Sequence, residues 1–196
     1  MLDLHKLAAV FSGVALREGH QGEARLMRLS DLTELKAGRV PTLTVGKTPD
    51  VARASAIQKG DLVVAARGSS TDICLATESV VGAFISLDLY LVRPDPTKID
   101  PRYLFAFLTL PATQTQFAAG KQGTGLPRLP KEQLEQIKVP MLPMEAQQMI
   151  AGLASSFEDE AKFLKKLTEL NLILGREVIA RAINAATAAK HKRSDK

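Results

Sequence analysis

Few side chains in this sequence have the type and spacing needed for catalysis. The three histidines, His5, His20 and His191, stand far apart, and no carboxylates accompany them in the arrangement of a triad or a metal site. Cys74 is the sole cysteine and has no histidine near it in sequence, so it reads as a small buried residue at a strand end. A lone cysteine also excludes an intramolecular disulfide and a cysteine-clustered zinc site, and it fits a reducing compartment.

Three further chemistries can be tested by their residues. The glycine-rich loop Gly120 to Gly125 has the look of a phosphate cradle, but a P-loop needs a Gly-Lys-Ser or Gly-Lys-Thr step opening a helix, and Leu126-Pro127 occupies that place. Nucleotide hydrolysis is not expected. Pro94-Asp95 with Glu160-Ala161-Lys162 can be aligned to a nuclease pattern, yet so short a pattern recurs by chance. A DNA amino-methyltransferase needs Asn or Asp before Pro-Pro and an aromatic; the only asparagines are Asn171 and Asn184, and Pro-Pro does not occur. The chain is expected not to be an enzyme and to carry no cofactor or metal of its own.

What remains is a binding surface. Glycines at 120, 123 and 125 let backbone approach a phosphate closely, Gln122 and Thr124 can donate hydrogen bonds, and Lys121 and Arg128 supply charge. A second basic loop of the same style holds Arg67, Gly68, Ser69 and Ser70, and a polar stretch further upstream adds Lys47 and Arg53. The alternative is that these are ordinary solvated turns. Lys and Arg exceed Asp and Glu by 26 to 21, a net charge of +5, which suits an anionic partner.

At 196 residues the chain can bury one sizeable core with an appended helix. The apolar segment Leu7 to Leu16 lacks the basic leader of a signal peptide and is interrupted by Ser12 and Gly13, and no apolar run approaches the roughly 20 residues that span a bilayer. A cytoplasmic location without membrane contact is expected. Short apolar pieces through Val45 read as strands and turns, with a helical turn over Asp31 to Leu35. Asp61 to Ala66 is a short apolar run bounded by glycines and reads as a buried strand. Val80 to Ile85 and Leu87 to Val92 predict two more strands, and Asp100-Pro101 predicts a capped helix over Pro101 to Thr109. A helical piece over Thr113 to Ala119 and a helix-to-strand step through Leu134, Ile137 and Val139 follow.

Beyond Met144 there is no proline, and Ile150, Leu153, Phe157, Leu164, Leu167, Leu174 and Val178 recur three and four apart with one gap. This predicts a helix of about 40 residues, on the order of 60 Å, that packs along a partner. Asn171 falls where the stripe expects an apolar residue; it sets register or partner number, or it is an exposed asparagine at an imperfect seam. Leu172, Ile179 and Ile183 form a second apolar face, so assembly with two partners, or with one partner that wraps, is expected. The organisation predicted is a mixed α/β (α+β) globular domain over residues 1–143, a long coiled-coil-type helix over 144–188, and a disordered basic tail over 189–196.

The order of these features resembles the target recognition domain of a type I restriction-modification DNA specificity subunit. The residues that carry the likeness are Lys6-Leu7 to Gly13, Leu29 to Leu32, Gly60 to Val64 with Arg67-Gly68, and Ile99 to Pro101 with Tyr103-Leu104. The glycine loop ending in Arg128-Leu129-Pro130, then Val139-Pro140 to Pro143 with Gln147 to Ala151, complete it. Arg128-Leu129-Pro130 is close to the Leu-Ser usual at that point.

The resemblance implies a non-catalytic subunit that reads one half of a split site in double-stranded DNA. It implies partner methyltransferase subunits that bring S-adenosylmethionine, with a restriction nuclease subunit as a further partner. Usual members hold two recognition domains and two long helices, whereas one of each is present here, as a natural half-subunit or as a truncated one. A homodimer through Ile150, Leu153, Phe157, Leu164, Leu167, Asn171, Leu174 and Val178 would restore the pair. The rival expectation is a protein-interaction module that works through its long helix without touching DNA.

Overall fold

The computed structural model describes residues 1–15, 24–46 and 54–194, with side chains described as far as residue 184. In chain order the elements are β1 (Leu2–Asp3), a 3-10 turn (Leu4–Lys6), β2 (Ala8–Ser12), β3 (Ala24–Met27), α1 (Leu29–Lys36), β4 (Thr44–Gly46), β5 (Leu62–Ala65) and β6 (Ile73–Leu75). There follow β7 (Phe84–Ile85), β8 (Leu89–Pro94), α2 (Pro101–Thr109), α3 (Pro111–Gly120), α4 (Lys131–Glu135), β9 (Lys138–Val139) and α5 (Met144–Ser194). The fold is mixed α+β with a long C-terminal helix, as the sequence predicts.

A four-stranded antiparallel sheet in the order β2-β8-β5-β6 forms the centre. β5 is buried at all four positions, which explains why its sequence shows no alternation of polar and apolar residues. Leu62 and Val64 face a core shared with Tyr103, Leu104 and Leu108 of α2 and Phe117 of α3, while Val63 and Ala65 face a second core with Met27, Leu32 and Ile85. β3 joins β4 antiparallel and β7 parallel in a smaller sheet, and β1 pairs with β9. The apolar segment Leu7 to Leu16 is accounted for in part by β2, an edge strand paired to β8.

Local chemistry explains most element ends. Asp100 caps α2 by accepting from the backbone N–H of Arg102 at 2.7 Å and Tyr103 at 3.3 Å, with Pro101 in the first turn where its missing N–H costs nothing. α1 is longer than the single turn expected, because the Asp31 carboxylate accepts from the Arg28 N–H at 2.7 Å and starts the helix two residues earlier. Val80-Val81 is not a strand. Val80 N–H donates to Thr77 O and Ala83 N–H to Val80 O, closing a turn through Gly82 at φ 81°, and Val80 serves as a buried plug rather than a ladder residue. β6 went unpredicted since three residues are too few to show a period.

The described chain forms two compact units, Met1–Ala151 and Gly152–Lys196. The first turns of α5 belong to the first unit, eight residues beyond the boundary expected at 143, because Gln147 and Ala151 are buried there. Gln147 Oε1 accepts from the Asp100 N–H at 2.9 Å, and its Nε2 donates to Leu142 O at 2.8 Å. Where the sequence predicts a disordered tail from residue 189, the backbone stays helical to Ser194.

Gln147→Leu keeps the volume but strands a buried donor and a buried acceptor, so a loss of about 2–4 kcal/mol in unfolding free energy is expected. Gln147→Glu keeps the acceptor but buries a carboxylate against the Leu142 carbonyl, so it should lose at least as much. Equal urea midpoints for wild type and the Leu variant would show that this bridge contributes nothing.

Candidate nucleic-acid interface

β5 leaves the sheet at the end where β8 enters it, since Ala65 lies opposite Leu89, and Ser12 of β2 reaches the same end opposite Tyr90. Gly13 then runs so close to the chain at Ser86 that a Cβ would sit 1.8 Å from the Ser86 carbonyl oxygen, so no other residue fits. Three connections therefore meet at one sheet end: residues 66–72 between β5 and β6, residues 86–88 before β8, and residues 121–130 between α3 and α4.

The two basic loops expected from sequence are joined into one structure. Gly68 N–H donates to Pro127 O at 3.0 Å and Leu129 N–H to Ala66 O at 2.8 Å, while Gln122 and Arg128 exchange both backbone hydrogen bonds at 2.8 Å. Arg128 also bridges to Arg67, so the 120s loop is a small hairpin laid against the end of β5. Gly68 at φ 110° and Gly123 at φ 104° take the left-handed turns that the two loops require. Beneath them the Tyr90 hydroxyl, on a side chain that is itself buried, donates to Leu129 O at 2.8 Å.

This packing assigns different work to the predicted residues. Lys121 Nζ donates to the carbonyls of Gly68 at 2.8 Å and Ser69 at 3.2 Å, so it fastens one loop to the other. Partial burial draws its ammonium below the usual lysine range, an effect that the carboxylate of Asp72 opposes. Arg128 donates to Leu87 O at 3.1 Å and lies 5.6 Å from the Tyr90 ring centre, and Arg67 pairs with Asp88 at 3.1 Å. These cations hold the loops together and leave positive charge at the surface around them.

Apart from Leu126, the residues that face solvent without such ties are polar or small. Ser69 and Ser70 are exposed on one loop; Gln122, Gly123, Thr124, Gly125 and Leu126 are exposed on the other, Leu126 by 59%. The Thr71 and Ser86 hydroxyls are buried and have no hydrogen-bond partner among the described residues. Of the nine residues predicted to touch DNA, Arg67, Ser69, Ser70, Lys121, Gln122, Thr124 and Arg128 come together here, and Lys47 and Arg53 lie outside the described residues. Sequence reasoning missed Leu87, Asp88 and Tyr90, which carry no motif, and it missed Leu126, whose exposure only the hairpin creates.

Among the described residues no group of three or more His, Cys, Asp or Glu could hold a metal ion. Asp95 of the nuclease-like pattern is committed to its own turn: Thr97 donates to it through backbone and hydroxyl at 3.0 and 2.6 Å, and with Lys98 holds its pKa at about 2. No helix among the described residues is long and apolar enough to cross a membrane.

Residues 23–172 match the family model described as the type I restriction modification DNA specificity domain. The fold is similar to a type I restriction-modification system S subunit from M. genitalium, with a TM-score of 0.58 and 18% identity over 87% of this chain and 41% of that one. An HsdS subunit from Thermoanaerobacter tengcongensis gives a TM-score of 0.61 and 16% identity over 84% of this chain and 38% of that one. A chain from a structure described as the basis of complex assembly and conformational transition of the type I R-M system gives 0.64 and 17% identity, over 85% and 43%. The chain thus spans about two fifths of the length of each of these structures. No curated protein matches the sequence significantly.

Proposed function

The chain belongs to the type I restriction modification DNA specificity domain family, and from that premise we propose that it reads a short sequence in double-stranded DNA on behalf of a partner methyltransferase. The observation that carries the reading is the fused pair of basic loops at one sheet end. There Lys121 and Arg128 brace the backbone while Gln122, Thr124, Ser69 and Ser70 stay exposed. Phosphates are met by the surrounding cations, and base edges by the short polar side chains. The methyltransferase supplies S-adenosylmethionine and the reaction, a nuclease subunit joins in systems that cut, and the assembly works in the cytoplasm. A second copy of the chain completes a bipartite site.

Filter binding on a duplex library at several salt concentrations tests this reading. A DNA reader is expected to lose affinity steeply, with a slope of roughly −0.9 per phosphate neutralised. Undetectable binding at low salt would favour the rival reading, a module that acts only through α5, whose many exposed apolar residues give that rival its one support.

Within the loops, Gln122→Ala is expected to relax preference at a single base pair by about 1–3 kcal/mol while affinity for random DNA stays unchanged. Lys121→Ala should weaken binding on every sequence, and it should also speed amide exchange at Gly68, whose loop it fastens. Unchanged exchange together with weaker binding would make Lys121 a plain phosphate contact.

A further inference from the structure

Leu126 is exposed by 59%, more than any other leucine among the described residues of the first unit. The exposed side chains beside it on the two fused loops are Arg67, Ser69, Ser70, Gln122 and Thr124, all of them cationic or hydrogen-bonding. A leucine in such company contributes little to the core of the free domain. We propose that Leu126 selects thymine, by packing against the 5-methyl group of one thymine on the floor of the major groove. The inference rests on the reading that the fused loops meet DNA, and it adds the base and the group that is read.

The backbone around Leu126 holds it outward. Gln122 and Arg128 exchange both backbone hydrogen bonds at 2.8 Å, so residues 123–127 form the tip of a narrow hairpin. Gly123 at φ 104° makes the turn, and a Cβ at Gly125 would meet nothing within 4 Å, so the tip is open on the side before Leu126. On the other side Pro127 has a restricted φ, and its carbonyl accepts from the Gly68 N–H at 3.0 Å. Leu129, three residues on, is fully buried, and its N–H donates to Ala66 O at 2.8 Å. The Leu126 side chain is therefore presented from an anchored backbone, which keeps the entropic cost of a contact low.

Chemistry then narrows what it meets. A two-stranded ribbon fits the major groove, where the thymine methyl is the apolar group presented among donors and acceptors; the minor groove presents none. Arg67, Lys121 and Arg128 lie around the hairpin and favour an anionic partner. A protein partner would call for a contiguous apolar centre, whereas polar side chains flank this leucine on its own hairpin. Gln122 and Thr124 can meet the hydrogen-bonding edges of neighbouring base pairs, so polar and apolar readout come from one ribbon.

Deoxyuridine tests the methyl group without disturbing base pairing. The full chain first selects its preferred motif from a duplex library, and each thymine of that motif is then replaced in turn by deoxyuridine in filter-binding assays. At one thymine the wild type is expected to lose roughly fourfold in affinity, which is what burial of one methyl-sized group is worth. Leu126→Ala should lose at least as much on the thymine duplex and nothing further on the deoxyuridine duplex, while Leu126→Met should keep the sensitivity. A motif without thymine, or a wild type indifferent to every replacement, overturns the proposal and leaves DNA reading intact. So does a Leu126→Ala variant as sensitive as wild type, with Leu87→Ala showing whether the half-exposed Leu87 makes the contact instead. Unaltered DNA binding by Leu126→Ala also overturns it and assigns the leucine to a protein partner. A wild-type chain that selects no motif overturns the reading of DNA, and this inference with it.

Discussion

Arg93→Ala is expected to lower the unfolding free energy by about 3–5 kcal/mol, the largest effect of any single substitution proposed for this domain. Asp61 is 1% exposed, and its carboxylate accepts from Arg93 Nε at 2.9 Å, Arg93 Nη2 at 2.8 Å and the Gln58 N–H at 2.7 Å. Arg93 also donates to Ala56 O at 2.7 Å and lies 5.3 Å from the centre of the Phe11 ring. One guanidinium thus holds together the start of β5, the strand β8, the edge strand β2 and the segment 56–58. Removing it leaves a buried negative charge with one backbone donor.

The reverse substitution is milder, because Arg93 is 26% exposed and can turn toward water. Asp61→Asn should therefore cost clearly less than Arg93→Ala. Urea unfolding with an unchanged slope and shifted midpoints would display the asymmetry. Equal losses for the two would mean that the stranded carboxylate is solvated by local opening.

Leu164→Glu with Leu167→Glu is expected to abolish target methylation in cells that hold this chain, its cognate methyltransferase and no other specificity subunit. Both leucines are more than half exposed on the apolar seam of α5, so in a dimer paired along that seam the double change places four carboxylates in it. The wild-type chain in the same cells should direct methylation to a palindrome split by unspecified bases, because two identical readers related by a two-fold axis read the same sequence on opposite strands. Sequencing of modified bases checks both halves. An asymmetric wild-type motif would rule out the homodimer, and an unaltered motif in the double variant would remove α5 from the assembly. Folding of the variant is checked on the first unit, which these positions do not enter.

How far the sequence could be read follows from the range of the forces involved. α2 was legible to the residue, because Asp100 and Pro101 act on backbone groups within one turn. β5 was legible as a buried strand because burial on both faces leaves an unbroken apolar run. The helical character of α5 was legible in its apolar period and in the absence of proline after residue 143. The family was legible in the order of several weak motifs, each of them a local turn, cap or strand.

The sequence alone therefore determined the mixed fold, the long helix and which two loops are basic and glycine-rich. It also determined the polar interruptions of the helix seam, since a heptad pattern is a property of neighbours along the chain. Only the tertiary structure decided that residues 67–70 and 121–128 form one surface, because strand pairing between β5 and β8 joins residues 24 to 30 apart and the bond from Leu129 to Ala66 joins residues 63 apart. It also decided that Lys121 and Arg128 spend their donors on protein carbonyls, leaving Gln122, Thr124 and Leu126 outermost. A side chain's charge is written in the sequence, but what it faces depends on the carbonyls that distant segments bring within hydrogen-bonding distance, and no local pattern encodes that.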